Sequence, residues 1–312
     1  MCQKTLRNWT ILITVLLVLL VASLACGLPV FGNPEELVAL EQIKVALRQT
    51  QTAMAIWTVG EPATEVPTLV TEVPTEVVEV PTIGIVPDVD YEGISFSFDA
   101  SIVASVSPNT VAGQNLGDDY MPGETYPTYY EFTFNDYALA DTFHAPVIRI
   151  YPITDYEAIS TQASDIINSL RTTLNTQPDA GINVSMPFLP MWNAGQMFSA
   201  YSSYFPFQNG KGVRYLTMYG QAYYPIDNTN LFYTYQGISS DGKYYVSAIM
   251  PISNLALPLH GEDSIDDWNA FYDYYEAYIS QAVMQLNEYP PDSFAPAIDM
   301  LDAMMASLLI KP

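Results

Sequence analysis

The sequence predicts an α+β fold for residues 90–312, with a mainly antiparallel sheet packed by long amphipathic helices. In front of this domain it predicts a signal peptide, a short helix and a disordered proline-rich linker. Three observations carry the fold class. Strand-like segments come in consecutive groups, and the last two are joined by Ser240-Asp241-Gly242, a good hairpin signal. Two long stretches, opening at Thr154 and Ser264, repeat their apolar residues at helical spacing. Near residue 90 the composition turns from a Pro/Thr/Val/Glu repeat to a tyrosine-rich, globular one.

The first 25 residues read as a leader. Lys4 and Arg7 precede an uncharged run from Trp9 to Phe31, whose centre is almost wholly apolar. A basic start before a short apolar core is a secretory signal. Its end, Ala22-Ser23-Leu24-Ala25-Cys26-Gly27, resembles the bacterial lipobox, in which Cys26 receives diacylglycerol and becomes the new N-terminus. The usual lipobox has its leucine one position earlier. The competing reading is an uncleaved anchor, since a run of this length spans ~30 Å of hydrocarbon. Both readings put everything after Phe31 outside. Cys2 and Cys26 are the only cysteines, so the exported domain must hold itself by burial without a disulfide.

Residues 26–57 carry the acylated cysteine and an amphipathic helix. Asn33 is a good N-cap, Pro34 suits the first helical position, and Glu36 completes a capping box. Leu40, Ile43, Leu47, Thr50, Met54 and Trp57 form a heptad seam short of three heptads, enough for weak self-association at most. From 58 to 89 the chain is a linker. Val-Pro-Thr recurs at 66, 73 and 80, with Glu65, Glu72 and Glu79 in step. Proline removes a backbone donor and turns its neighbour away from helix, so extended conformers dominate. At ~3 Å per residue this spacer reaches up to ~100 Å.

Within the domain, Ile94, Phe96 and Phe98 alternate with serines as a half-buried strand, and a polar loop over 107–127 follows. Segments 130–134 and 147–151 read as two more strands. A helix opening at Thr154 buries Tyr156, Ile159, Ala163, Ile166, Leu170 and Leu174. A long connection over 177–212 leads to strands at 213–220, 231–237 and 243–250. The helix from Ser264 turns Trp268, Phe271, Tyr272, Tyr275, Ile279, Ala282, Val283 and Leu286 to one side. After Pro290-Pro291, a shorter helix over about 292–310 closes the chain. The run Gln208-Asn209-Gly210-Lys211-Gly212-Val213-Arg214, with Asp241-Gly242-Lys243-Tyr244-Tyr245-Val246, resembles uncharacterised bacterial lipoproteins that share this layout. That resemblance implies no activity.

Several chemistries lack their residues. The formal net charge is −24, and the leader would carry away two of only ten lysines and arginines. Nucleic-acid binding needs clustered Lys and Arg, so nucleic acid is not an expected partner. No Gly-x-Ser-x-Gly elbow and no phosphate-cradling glycine motif is present. His144 and His260 are the only histidines, each read as an ordinary residue. Neither zinc nor calcium spacing appears; Asp263/Asp266/Asp267 and Asp227–Asn230 read as a helix start and a turn. The expected cofactor set is therefore none, and no catalytic or metal residue is assigned.

Tyrosine is what remains. Of its 23 residues, twelve cluster at 201/204, 223/224, 233/235, 244/245 and 272–278. Tyr233, Tyr235, Tyr244 and Tyr245, on the hairpin over 231–250, are the candidate ligand-binding rings, because both faces of that ribbon carry aromatics. The leading expectation is a membrane-anchored, extracytoplasmic, non-enzymatic binding module for an envelope glycan or protein. The alternatives are a carboxylate-based hydrolase of envelope polysaccharide and an envelope spacer or assembly protein. A deep pocket with paired carboxylates would favour the first alternative.

Overall fold

The computed structural model describes residues 86–117, 119–179 and 185–311. The leader, Cys26, the helix expected over 33–57 and the linker up to residue 85 lie outside them.

The folded part begins one residue earlier than the sequence suggests. Strand β1 (Val89–Tyr91) turns through Glu92-Gly93, both at positive φ, into β2 (Ile94–Phe96). Next, β3 (Val103–Val111), β4 (Tyr129–Tyr137) and β5 (Val147–Pro152) form an antiparallel meander. Helices α1 (Ile153–Ile159) and α2 (Thr161–Thr176) replace the single helix expected from Thr154. Ser160 breaks it: its backbone is extended, and its hydroxyl accepts from Ala163 N–H as the N-cap of α2. The break rotates the second stripe, so Ile167 is buried in place of Ile166.

The stretch expected as a connection holds β6 (Gly195–Gln196), β7 (Ala200–Phe207) and the start of β8 (Gly210–Thr217), followed by β9 (Tyr219–Gly220). The hairpin β10 (Phe232–Ser239) and β11 (Tyr244–Pro251) then forms as predicted, with Gly242 at positive φ in its turn. After β12 (Ser253–Asn254), the long C-terminal helix is again two. These are α3 (Trp268–Asp273), capped by the Asp267 carboxylate, and α4 (Tyr275–Glu288). The tail runs through β13 (Phe294–Ala295), α5 (Ile298–Ala306) and β14 (Leu309–Ile310). The last of these extends the β1–β2 hairpin, where the sequence suggests helix.

Seven strands form one antiparallel sheet in the order β3-β4-β5-β11-β10-β8-β7. Its edge strands are the two that the sequence hid. Strand β3 buries only Val103 and carries Pro108, while β7 carries Pro206 and a register shift between Ala200 and Ser203. Polar residues, proline and bulges suit an edge because they discourage pairing with another chain. Both faces of the central strands are covered. On one side Tyr151, Val213, Tyr215, Ile238 and Tyr245 pack on Ala163, Ile167, Leu170 and Leu174 of α2 and on Met186 and Leu189. On the other, Ile148, Ile150, Leu216, Tyr233, Tyr235, Val246, Ala248 and Met250 share a core with α4, α5 and the small β1–β2–β14 sheet.

Candidate functional site

The tyrosine hairpin is not an exposed platform. Tyr233, Tyr235 and Tyr245 are 0 % exposed, and Tyr244 is half-buried. Their hydroxyls serve the interior: Tyr233 donates to Asp302 Oδ1 (2.9 Å), Tyr235 to the Phe205 carbonyl (2.8 Å), and Tyr245 to Gln236 Oε1 (2.6 Å). The cause is the second helical layer, since α5 closes over the face that a two-layer domain would leave open. The exposed tyrosines among the described residues are Tyr120, Tyr223, Tyr224, Tyr272 and Tyr274.

A concavity of about 660 Å³ lies instead at one end of the sheet, beyond the start of β10. Four connections converge there. The loop before β5 brings Phe143 and His144; the segment before β6 brings Trp192 and Asn193. The loop after β9 brings Gln221, Tyr224, Asp227 and Asn230, and the stretch before α3 brings Glu262. Backbone bonds tie these loops together, with Phe143 N–H donating to the Thr229 carbonyl and Asn228 N–H to that of Pro258. The Thr229 hydroxyl donates to the Leu259 carbonyl (2.8 Å).

The segment bearing Trp192 crosses the sheet without regular structure, so its backbone needs partners other than a strand. Gln236, fully buried on β10, supplies them. Its Oε1 accepts from Leu189 N–H (3.1 Å), while its Nε2 donates to Thr234 Oγ1 (2.8 Å) and Ser247 Oγ (3.2 Å). The Ser247 hydroxyl donates to the Leu189 carbonyl, and the Tyr215 hydroxyl to that of Pro187 (3.0 Å). Phe188 and Trp192 are thereby pinned over Phe232 and Tyr219.

His144 lies flat on the Trp192 indole, with ring centres 4.7 Å apart and planes 4° apart, and meets Phe143 and Phe232 edge-on. Burial lowers its pKa to about 4, so the imidazole is neutral at neutral pH. Neither ring nitrogen has a hydrogen-bond partner among the described residues. Two carboxylates line the cavity. Asp227 is buried and engaged, accepting from Asn230 N–H (2.8 Å), Asn230 Nδ2 (2.9 Å) and Gly261 N–H (3.0 Å). That network is why the Asp227–Asn230 run is a turn. Glu262 is exposed and is the one acid of the lining not engaged in such a network. Among the described residues no group of three or more His, Cys, Asp or Glu is placed to hold a metal ion.

The sequence assigned no function to these cavity residues: His144 read as an ordinary residue and Asp227–Asn230 as a turn. Four loops far apart in the chain contribute between one and four each, and no spacing links them. Local signals were the Tyr223/Tyr224 pair and the Asp227–Asn230 turn, together with the aromatic and proline-bearing residues 186–192 inside the stretch expected as a connection. No family model, curated protein or solved structure matches this chain.

Proposed function

We propose that the chain is a membrane-tethered extracytoplasmic binding protein, acylated at Cys26, which takes its ligand in the aromatic cavity beside Trp192. In this reading the leader, the helix over 33–57 and the linker serve export and reach, as in the bacterial lipoproteins that the sequence resembles. The observation that carries the binding reading is the lining itself. Aromatic side chains and amides line about 660 Å³, with a single disengaged carboxylate and a neutral histidine. A hydrolase working through two carboxylates needs both free to act on substrate, and Asp227 is occupied by three backbone and amide donors.

Native mass spectrometry after incubation with a low-molecular-weight envelope extract tests the site. The expected result is a non-covalent adduct, recovered chemically unaltered. Trp192→Ala should weaken it by about 2 kcal/mol or more, as loss of a central aromatic anchor does. Phe143→Ala, at a residue 74 % exposed, should weaken it less and leave the fold intact. A cleaved product, lost on Glu262→Gln, would move the reading to the hydrolase. For the tether, Cys26→Ala should abolish metabolic labelling with a fatty acid; undiminished labelling would rule out that cysteine as the anchor.

A further inference from the structure

Resting on the cavity being a ligand site, we infer that its ligand presents an organic cation, an alkylammonium group held between the aromatic rings and Glu262. Three observations converge on that chemistry. First, no lysine or arginine lines the cavity, and its histidine is held neutral by burial, so no positive charge there complements an anion. Second, Glu262 is the one carboxylate of the lining outside the Asp227 network, and amide oxygens stand with it as acceptors. Gln221 gives Nε2 to the Asn193 carbonyl (2.8 Å), and Asn230 gives Nδ2 to both oxygens of Asp227 (2.9 and 3.2 Å), which leaves the two amide oxygens to accept from a ligand.

Third, the cavity that Glu262 lines is rich in aromatic rings. Phe143, Trp192, Tyr219 and Tyr224 contribute to one cavity with Glu262. Ring faces carry negative potential and attract cations, most strongly when both are shielded from water. The strongly acidic chain adds a long-range field of the same sign, which raises the local concentration of cations. The carboxylate supplies charge and the rings supply a weakly hydrating wall. Together they distinguish an alkylammonium from a bare metal ion, which would need several oxygens converging on one point.

The test uses the full chain in polyoxyethylene micelles, which carry neither ammonium nor sugar. Choline is titrated by calorimetry against dimethylbutanol, its uncharged carbon isostere, and against maltotriose. The indole N–H resonance of Trp192, assigned with Trp192→Phe, locates binding. Choline should bind and shift that resonance, with dimethylbutanol weaker by about tenfold or more. Glu262→Gln, an exposed substitution, should lower choline affinity by about tenfold and leave dimethylbutanol unchanged. Equal affinity for the two isosteres would overturn the inference and leave an apolar ligand site. Maltotriose binding at Trp192 without choline binding would overturn it in favour of a saccharide. Failure of choline to shift Trp192 at millimolar concentration would also overturn it, while an extract adduct lost in Trp192→Ala would still stand for the cavity.

Discussion

Asp302→Ala should destabilise the domain by about 3–5 kcal/mol, read as a shift in the urea midpoint at unchanged slope. Asp302 projects from α5 onto the sheet and meets Arg214 of β8 in a two-pronged pair, Nε to Oδ1 at 3.2 Å and Nη2 to Oδ2 at 3.0 Å. The Tyr233 hydroxyl adds a third bond to Oδ1, and the Arg214 guanidinium also donates to the Tyr201 carbonyl and lies 5.0 Å from the centre of that ring. The Arg214 side chain is only 7 % exposed and that of Asp302 23 %. Forming such a pair gains little net energy, because both ions lose water; removing one partner is costly, because the other stays buried and unpaired. Replacing both, as Arg214→Met with Asp302→Leu, should therefore recover a large part of the loss. If Asp302→Ala costs less than about 1 kcal/mol, water reaches the guanidinium and α5 does not seal this face.

The contrast between what the sequence shows and what it hides follows burial. The central strands β5, β8, β10 and β11 are almost wholly buried because both their faces are covered, and their aromatic and β-branched residues made all four legible. Strand β3 reads as a loop because eight of its nine residues are partly or fully exposed, and β7 because proline and a bulge interrupt any alternation. Helix stripes were found, but their breaks at Ser160 and Tyr274 were not, since a stripe can rotate by one residue without losing its apolar count. The cavity was the least legible part. His144, Trp192, Tyr219 and Glu262 come together only through tertiary bonds such as Gln236 to Leu189, and periodicity carries no record of them. Three of the four rings of the tyrosine hairpin are buried for a related reason. Period-two alternation tells which rings share a face, but not whether a helix lies over it.

Tyr235→Ala should cost about 3–5 kcal/mol, the range for emptying a large buried aromatic site, where an exposed recognition ring would cost almost nothing. The ring lies over a cross-strand pair of glycines, Gly212 on β8 opposite Gly237 on β10. A Cβ at either position would collide with the Tyr235 ring. This explains the glycine in the Gly210-Lys211-Gly212 run, since the ring occupies the space that a side chain would take. Phe205 packs against the ring at 4.9 Å and Phe207 meets it edge-on at 6.4 Å, while the hydroxyl reaches the Phe205 carbonyl of edge strand β7. Truncation would open a void that glycine neighbours cannot fill, because they have no side chains to move inward. Tyr235→Phe keeps the ring and loses only the bond to β7, so it should cost about 1 kcal/mol. Urea unfolding of the two variants separates the contributions. A loss below about 1 kcal/mol for the alanine variant would mean that the ring is not part of the core, and would return the hairpin to consideration as a binding surface.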